Sequence, residues 1–309
     1  MALKWRKKLI LAKLEAVAGT DAEPTGAANA IQISDATITP MEGGTVSRGL
    51  LRPTLGAEGS IPVNTHVSME FSVEIAGAGA AGDAPAYGPL LVACAMEETI
   101  VAETSVAYSP VSEGEESATI YFYQDGILHA VTMARGTVTL EFPPNDLPRF
   151  RFRFLGLHVD PAAAAMPVPD FDAFVPAKPV NKANTPTFTL HGYAAVMERL
   201  TVDLGVSNVH RDRVNSAAVL LTDRQTSGTA VIEAPALGTK NYFAIAKAGT
   251  LGALQLVHGT VAGNVVQIDA PKVQIGPPAY GNTDGLATLS LPLTLVPDAG
   301  DDELVITVK

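Results

Sequence analysis

Along this chain the clearest signal is alternation of apolar and polar positions. Met69, Phe71, Val73 and Ile75 share one parity while Glu70, Ser72 and Glu74 hold the other, which predicts a strand with one buried face. Arg149-Phe150-Arg151-Phe152-Arg153-Phe154 repeats the pattern with three rings on one side and three cations on the other. Shorter runs of period two lie at Ile31 and Ile33, at 37–39, 118–124, 127–133 and 136–142. Asp125-Gly126 separates two of them and is a strong hairpin turn pair. One stretch departs from this period. Residues 87–98 carry Pro89 where a first helical turn tolerates it, followed by good helix formers, and predict the helix of this half.

Other stretches carry no period. Residues 1–30 begin basic and become rich in Ala, Gly and Pro, as an extended arm would. Residues 42–60 are Gly-rich, and a long aperiodic loop in a folded chain implies a contact elsewhere. Residues 161–187 are dense in Pro and Ala, which favours extended, semi-rigid spacing. The division expected is therefore an arm at 1–30, a β domain at 31–160, a linker at 161–187 and a second β domain at 188–309.

That second domain reads as a repeat of the first. Leu200–Leu204 is a strand, 205–215 a polar loop, and 228–233 stands where 71–75 stood. Residues 240–247 occupy the helix slot. Residues 119–126 lead to Pro143-Pro144 as 253–259 lead to Pro277-Pro278, and alternating strands follow at 150–157 and 289–295. Matching signals in one order argue for an internal duplication. Proline pairs cannot sit inside a central strand, so both are expected to mark the same strand exit.

Composition agrees with a turn-rich β fold: 27 Gly and 22 Pro punctuate a chain that is 47% hydrophobic and 17% charged. The single cysteine, Cys94, lies in an apolar run and excludes an internal disulfide framework. The opening residues imitate a signal peptide until Lys13 and Glu15 interrupt the apolar stretch, and nothing approaches the ~18 apolar residues of a membrane span; a product that stays in the cytoplasm where it is made is the expectation. A net charge of −11 opposes tight nucleic-acid binding. The arginine–phenylalanine run could suggest nucleic-acid contact, but its strict period explains the rings as core and the arginines as an outer row.

Reactive groups do not assemble into a motif. His66, His129, His158, His191, His210 and His258 lack metal-ligand spacing, and there is no nucleophile elbow or P-loop. Gly77–Gly82 lacks dinucleotide-loop spacing and reads as a flexible surface loop. Glu113-Gly114-Glu115-Glu116 lacks the regular ligands of a calcium loop. No enzyme chemistry, cofactor or metal is expected.

Several segments carry a family likeness. The run from Leu11 to Ile31, Ile38-Thr39-Pro40-Met41-Glu42-Gly43-Gly44 with Arg52-Pro53-Thr54-Leu55-Gly56-Ala57, and Glu70-Phe71-Ser72-Val73-Glu74 beside Tyr87-Gly88-Pro89-Leu90-Leu91 resemble the phage major tail tube protein family. The likeness lies in the first half and extends to the second through the repeat. It implies a mainly β fold with two tandem tail-tube-like sandwich or barrel domains, each with a flanking helix, plus extended arms. It further implies a virion protein of the tail that polymerises into stacked rings, with tape measure, terminator and distal tail proteins as partners and double-stranded DNA passing through without tight binding. The alternative is a tail-fibre or adhesin module that binds a receptor.

On the tube reading, the polar faces of the strands supply candidate lumen-lining carboxylates: Glu70, Glu74, Glu141, Asp203, Glu233 and Asp269. Arms at 1–30, 45–60 and 204–215 are candidates to bridge rings, with Leu50, Leu51, Arg52, Leu55 and Ile61 making the contacts. Two tube folds per chain imply rings of three chains with pseudo-sixfold symmetry.

Overall fold

A computed structural model describes residues 2–309. The first half forms β1 (Lys8–Leu14), α1 (Gly26–Asn29), β2 (Ala30–Ile31), β3 (Ser34–Ser47), β4 (Ser60–Glu74), α2 (Gly88–Val92), β5 (Met96–Val101), β6 (Ser105–Pro110), β7 (Ala118–Gln124), β8 (Ile127–Phe142), β9 (Arg149–His158) and β10 (Ala162–Ala163). The second half adds β11 (Thr187–Leu190), β12 (Tyr193–Ala194), β13 (Met197–Asp203), β14 (Val206–Arg213), β15 (Ser216–Arg224), β16 (Ser227–Glu233), α3 (Tyr242–Ala248), β17 (Leu251–His258), β18 (Val266–Ile275), β19 (Ala279–Thr283), β20 (Leu286–Val296) and β21 (Val305–Val308).

The same pairing order occurs twice. In the first repeat β3 pairs β4, β4 pairs β9, β9 pairs β8, β8 pairs β7, and β7 pairs β1. In the second, β13 pairs β16, β16 pairs β20, β20 pairs β18 and β19, β18 pairs β17, and β17 pairs β11. Register repeats as well: Met69 sits between Ile38 and Phe154 as Gly228 sits between Val202 and Leu293. The two repeats are welded edge to edge, because β13 also pairs β8, with Val202 opposite Leu140. An inner sheet therefore runs unbroken through β3-β4-β9-β8-β13-β16-β20-β19.

Alternation decides what this sheet buries. Phe150, Phe152 and Phe154 are fully buried, as are Leu140, Leu200, Val202 and Leu291. Phe71 meets Phe152 and Phe154 at ring-centroid distances of 5.7 and 5.9 Å. At roughly 1.5–3 kcal/mol per fully buried large apolar side chain, this row holds the inner sheet against the outer layer. The long strand β8 serves both layers. A bulge between Thr132 and Arg135, with Met133 at φ 50°, bends it so that its first half pairs β7 and its second half β9. Glu15 anchors that bend: its buried carboxylate accepts hydrogen bonds from Met133 N (2.8 Å), Ser117 Oγ (2.6 Å), Thr119 Oγ1 (2.9 Å) and Gly19 N (2.7 Å).

Several expectations need correction. The extended arm expected at 1–30 is instead built into the sheet from Lys8 to Leu14, which forms β1 between β7 and β2. Ile10 and Ala12 face the main core, while Leu9 and Leu11 face a second cluster completed by Leu128, Met166 and Phe171. A strand buried on both faces shows no alternation, which hid it. The proline-rich stretch is correspondingly a strap laid over β1, with Asp170 N donating to Gly26 O at 3.0 Å, and with Asn145 N donating to Val180 O and Val180 N to Asp146 O, each at 2.9 Å. The helix ends at Val92 rather than at residue 98. Ala95 adopts φ 61°, and Met96, Glu97 and Glu98 continue as β5.

The loop at 77–82 is docked rather than flexible. Gly77 N donates to Asn264 Oδ1 and Gly79 N to Gly263 O, both at 2.8 Å, so the loop joins the two repeats. The proline pairs do not mark equivalent exits either. Pro143-Pro144 follows the end of β8, whereas Pro277-Pro278 interrupts the corresponding path between β18 and β19, and pairing to β9 and β20 equates Glu141 with Gly281.

Candidate functional site

The outward face of the inner sheet gathers most of the predicted carboxylates. Glu70 and Glu74 on β4, Glu141 on β8, Asp203 on β13 and Glu233 on β16 all occupy the parity opposite the buried residues. Asp269 does not join them. It lies in the part of β18 that pairs β17 and β21, where Gln255 and Gln267 donate to its carboxylate at 2.9 and 2.6 Å.

Arginines interleave with these acids. Arg149, Arg151 and Arg153 share the same face on β9, and Arg199 shares it on β13. Arg153 stands opposite Glu70 and donates Nε to its Oε1 at 2.9 Å, while Arg149 stands opposite both Glu74 and Glu141. The face is thus a mosaic of neighbouring opposite charges rather than a uniformly acidic surface. Alternation in the sequence located each residue, but the cross-strand partnering depended on register that the sequence alone did not reveal.

Two long hairpins extend from the inner sheet. The first, between β3 and β4, exposes Val46, Leu50, Ile61 and Val63, and leaves Leu51 and Leu55 entirely in solvent. Arg52 lies 3.7 Å from Glu58 across the tip. The second hairpin, β14–β15, is folded back over the first repeat. Val219 is fully buried, Arg135 donates to its carbonyl at 3.1 Å, and Val206 N donates to Thr137 Oγ1 at 3.1 Å. His210 stacks on His66 at 4.8 Å and burial, then His66, lowers its pKa. The polar loop expected at 205–215 is therefore the first strand of an ordered hairpin.

At the base of that hairpin lies an ion cluster that no motif announced. Arg224 donates to Glu303 (2.5 Å), Asp301 (2.7 Å) and the Val111 carbonyl (2.7 Å), and Ser112 donates to Asp301 at 2.5 Å. Burial opposes the charge on Arg224, but the two carboxylates outweigh it and raise its pKa; the Ser112 hydrogen bond comes first in lowering that of Asp301. The cluster ties the second repeat to the β5–β6 hairpin of the first, alongside direct pairing of β21 with β6. Cys94 is buried and its thiol pKa is pushed up by burial. Glu113 and Glu116 are exposed, and among the described residues no group of three or more His, Cys, Asp or Glu side chains is placed to hold a metal ion. Among the same residues no helix is long and apolar enough to cross a membrane.

Comparison with known families matches residues 5–295 to the model described as phage tail tube protein. The chain belongs to the phage tail tube protein family. The matched span takes in the first repeat and the second as far as residue 295, so membership covers nearly the whole inner sheet and both long hairpins. A search of curated proteins gives no match. As a member of this family the chain is a structural protein of the phage tail tube, and its mainly β architecture accords with that role.

Proposed function

We propose that this tail tube protein assembles with copies of itself into stacked rings whose joined inner sheets form the conduit for the phage genome. The observation that carries this reading is the unbroken inner sheet whose end strands, β3 and β19, each pair on one edge only among the described residues. An isolated chain leaves both edges open, and open edges are satisfied when sheets join around a ring.

On this reading the polar face lines the bore, with Glu70, Glu74, Glu141, Asp203 and Glu233 toward DNA and the arginines between them. Interspersed opposite charges give a passing polyanion no continuous basic track to bind, and dissolved salt screens what remains over about 8–10 Å. The exposed leucines of the β3–β4 hairpin reach the adjacent subunits. Tape measure, terminator and distal tail proteins meet the ends of the stack. Negative-stain microscopy of the purified protein tests the proposal: rings or tubes of uniform bore are expected without any added ligand, and a protein that remains monomeric at all concentrations and salt conditions would refute it.

A further inference from the structure

The junction inside the chain is a template for the junction between chains. At the internal weld, Thr201, Val202 and Asp203 of β13 stand opposite Glu141, Leu140 and Thr139 of β8. Strand pairing identifies the counterpart of each partner in the other repeat. Thr37, Ile38 and Thr39 on β3 pair with Glu70, Met69 and Ser68, as Thr201, Val202 and Asp203 pair with Thr229, Gly228 and Ser227. Leu140 lies opposite Phe150 as Tyr280 lies opposite Leu289, and Val73 joins Phe150 as Ile232 joins Leu289. Hence β3 is the counterpart of β13, and β19 that of the end of β8. Yet β3 pairs only β4, and β19 only β20, among the described residues.

We infer that β3 of one copy pairs antiparallel with β19 of the next, with Thr37 opposite Gly281, Ile38 opposite Tyr280, and Thr39 opposite Ala279. This rests on the ring-forming reading and specifies its interface. Side-chain exposure fits. Val202 and Leu140 are fully buried at the internal weld, whereas Tyr280 is 69% exposed in the single chain and Ile38 is only half-buried; the pairing covers both.

A second observation points to the same neighbour. At the internal weld the β14–β15 hairpin covers the strip formed by His66 and the end of β9. The counterpart strip in the second repeat, Gln225 with Thr294 to Val296, instead lines an open groove of ≈ 590 Å³ beside Arg224 and Asp301. The occupant is the next copy's β3–β4 hairpin, which leaves β3 in the same direction that β14 leaves β13 and carries the uncovered Val46, Ile61 and Val63.

Cysteine crosslinking tests the register. Opposed residues in an antiparallel pair fall within disulfide range, whereas a two-residue slip does not, and buried Cys94 offers no competing thiol. Assembled protein carrying Thr39→Cys and Ala279→Cys is expected to give reducible covalent oligomers on oxidation, and Thr37→Cys with Ala279→Cys at least tenfold less. Mixing the two single variants, Thr39→Cys and Ala279→Cys, should give covalent dimers, so the test does not depend on the double variant folding. Equal or stronger linkage by the slipped pair overturns the register. Rings visible by microscopy with no linkage from any combination overturn the strand assignment while leaving the tube reading intact. Wild-type protein that never assembles removes both.

Discussion

Gly263 shows how much of the weld between repeats depends on single atoms. It adopts φ 82°, and a Cβ there would lie 2.4 Å from the Gly79 carbonyl oxygen, against backbone that cannot swing aside. Gly263→Val should lower stability by about 2–4 kcal/mol, from left-handed strain and lost contact together. Chemical denaturation should show a lower midpoint with an unchanged slope. His258 sits at the same seam. Its ring meets Phe142 of the first repeat edge-on at 6.1 Å, its Nδ1 lies 2.9 Å from Thr185 Oγ1, and burial lowers its pKa despite a hydrogen bond from its side to the Lys178 carbonyl. For a base with a depressed folded pKa, stability is full above the unfolded value near 6.5 and declines as pH falls toward the folded one. The melting temperature should therefore drop between about pH 7.5 and pH 5, and His258→Asn should flatten that dependence. His129, His191 and His210, lowered by burial in the same direction, leave a residual slope; an unchanged slope in His258→Asn would assign the effect to them.

Among the elements, the β3–β4 hairpin carries the sharpest consequence. Its outer residues make no core: Leu51 and Leu55 are wholly exposed, whereas Val67, Met69, Phe71 and Val73 further down β4 are buried. Removing residues 47–58 should leave a folded monomer with unchanged melting temperature that forms no tubes, read by circular dichroism and electron microscopy. Normal tubes from the deletion would show that the hairpin is not an assembly element. What the sequence disclosed at this scale follows from where each element gets its order. Strands with one buried face, such as β4 and β9, announce themselves by parity. The strand β1 is buried on both faces and reads as a basic leader. Strands β14 and β19 expose most of their side chains and are held by backbone pairing and docking, so no apolar period marks them. The charged face was legible as a set of outward residues, but the arginines opposite Glu70, Glu74 and Glu141 depend on strand order across the sheet.

For the whole molecule, one chain contributes eight strands to the inner sheet, β3-β4-β9-β8-β13-β16-β20-β19. Strands about 4.8 Å apart and tilted about 40° close a barrel whose backbone diameter grows linearly with strand number. Two chains would give roughly 32 Å, three roughly 48 Å and six roughly 96 Å on the same geometry. Side chains take about 10 Å from each of these diameters, and a DNA duplex is roughly 20 Å across. Two chains therefore leave almost no room for water around the duplex, and six leave a bore several times wider than the polymer. Three chains would leave roughly 38 Å, room for the duplex with a few layers of water on each side. Each ring should then alternate two kinds of inner-sheet junction, β8–β13 within chains and β3–β19 between them. The outer layer cannot follow that pseudo-sixfold repeat, because the β5–β6 hairpin occurs in the first repeat while α3 runs almost directly into β17 in the second. A tube reconstruction calculated without imposed symmetry should accordingly show three equivalent copies per ring, with six similar units on the inside and threefold features on the outside. Six equivalent chains per ring, with residues 188–309 outside the wall, would refute the arrangement.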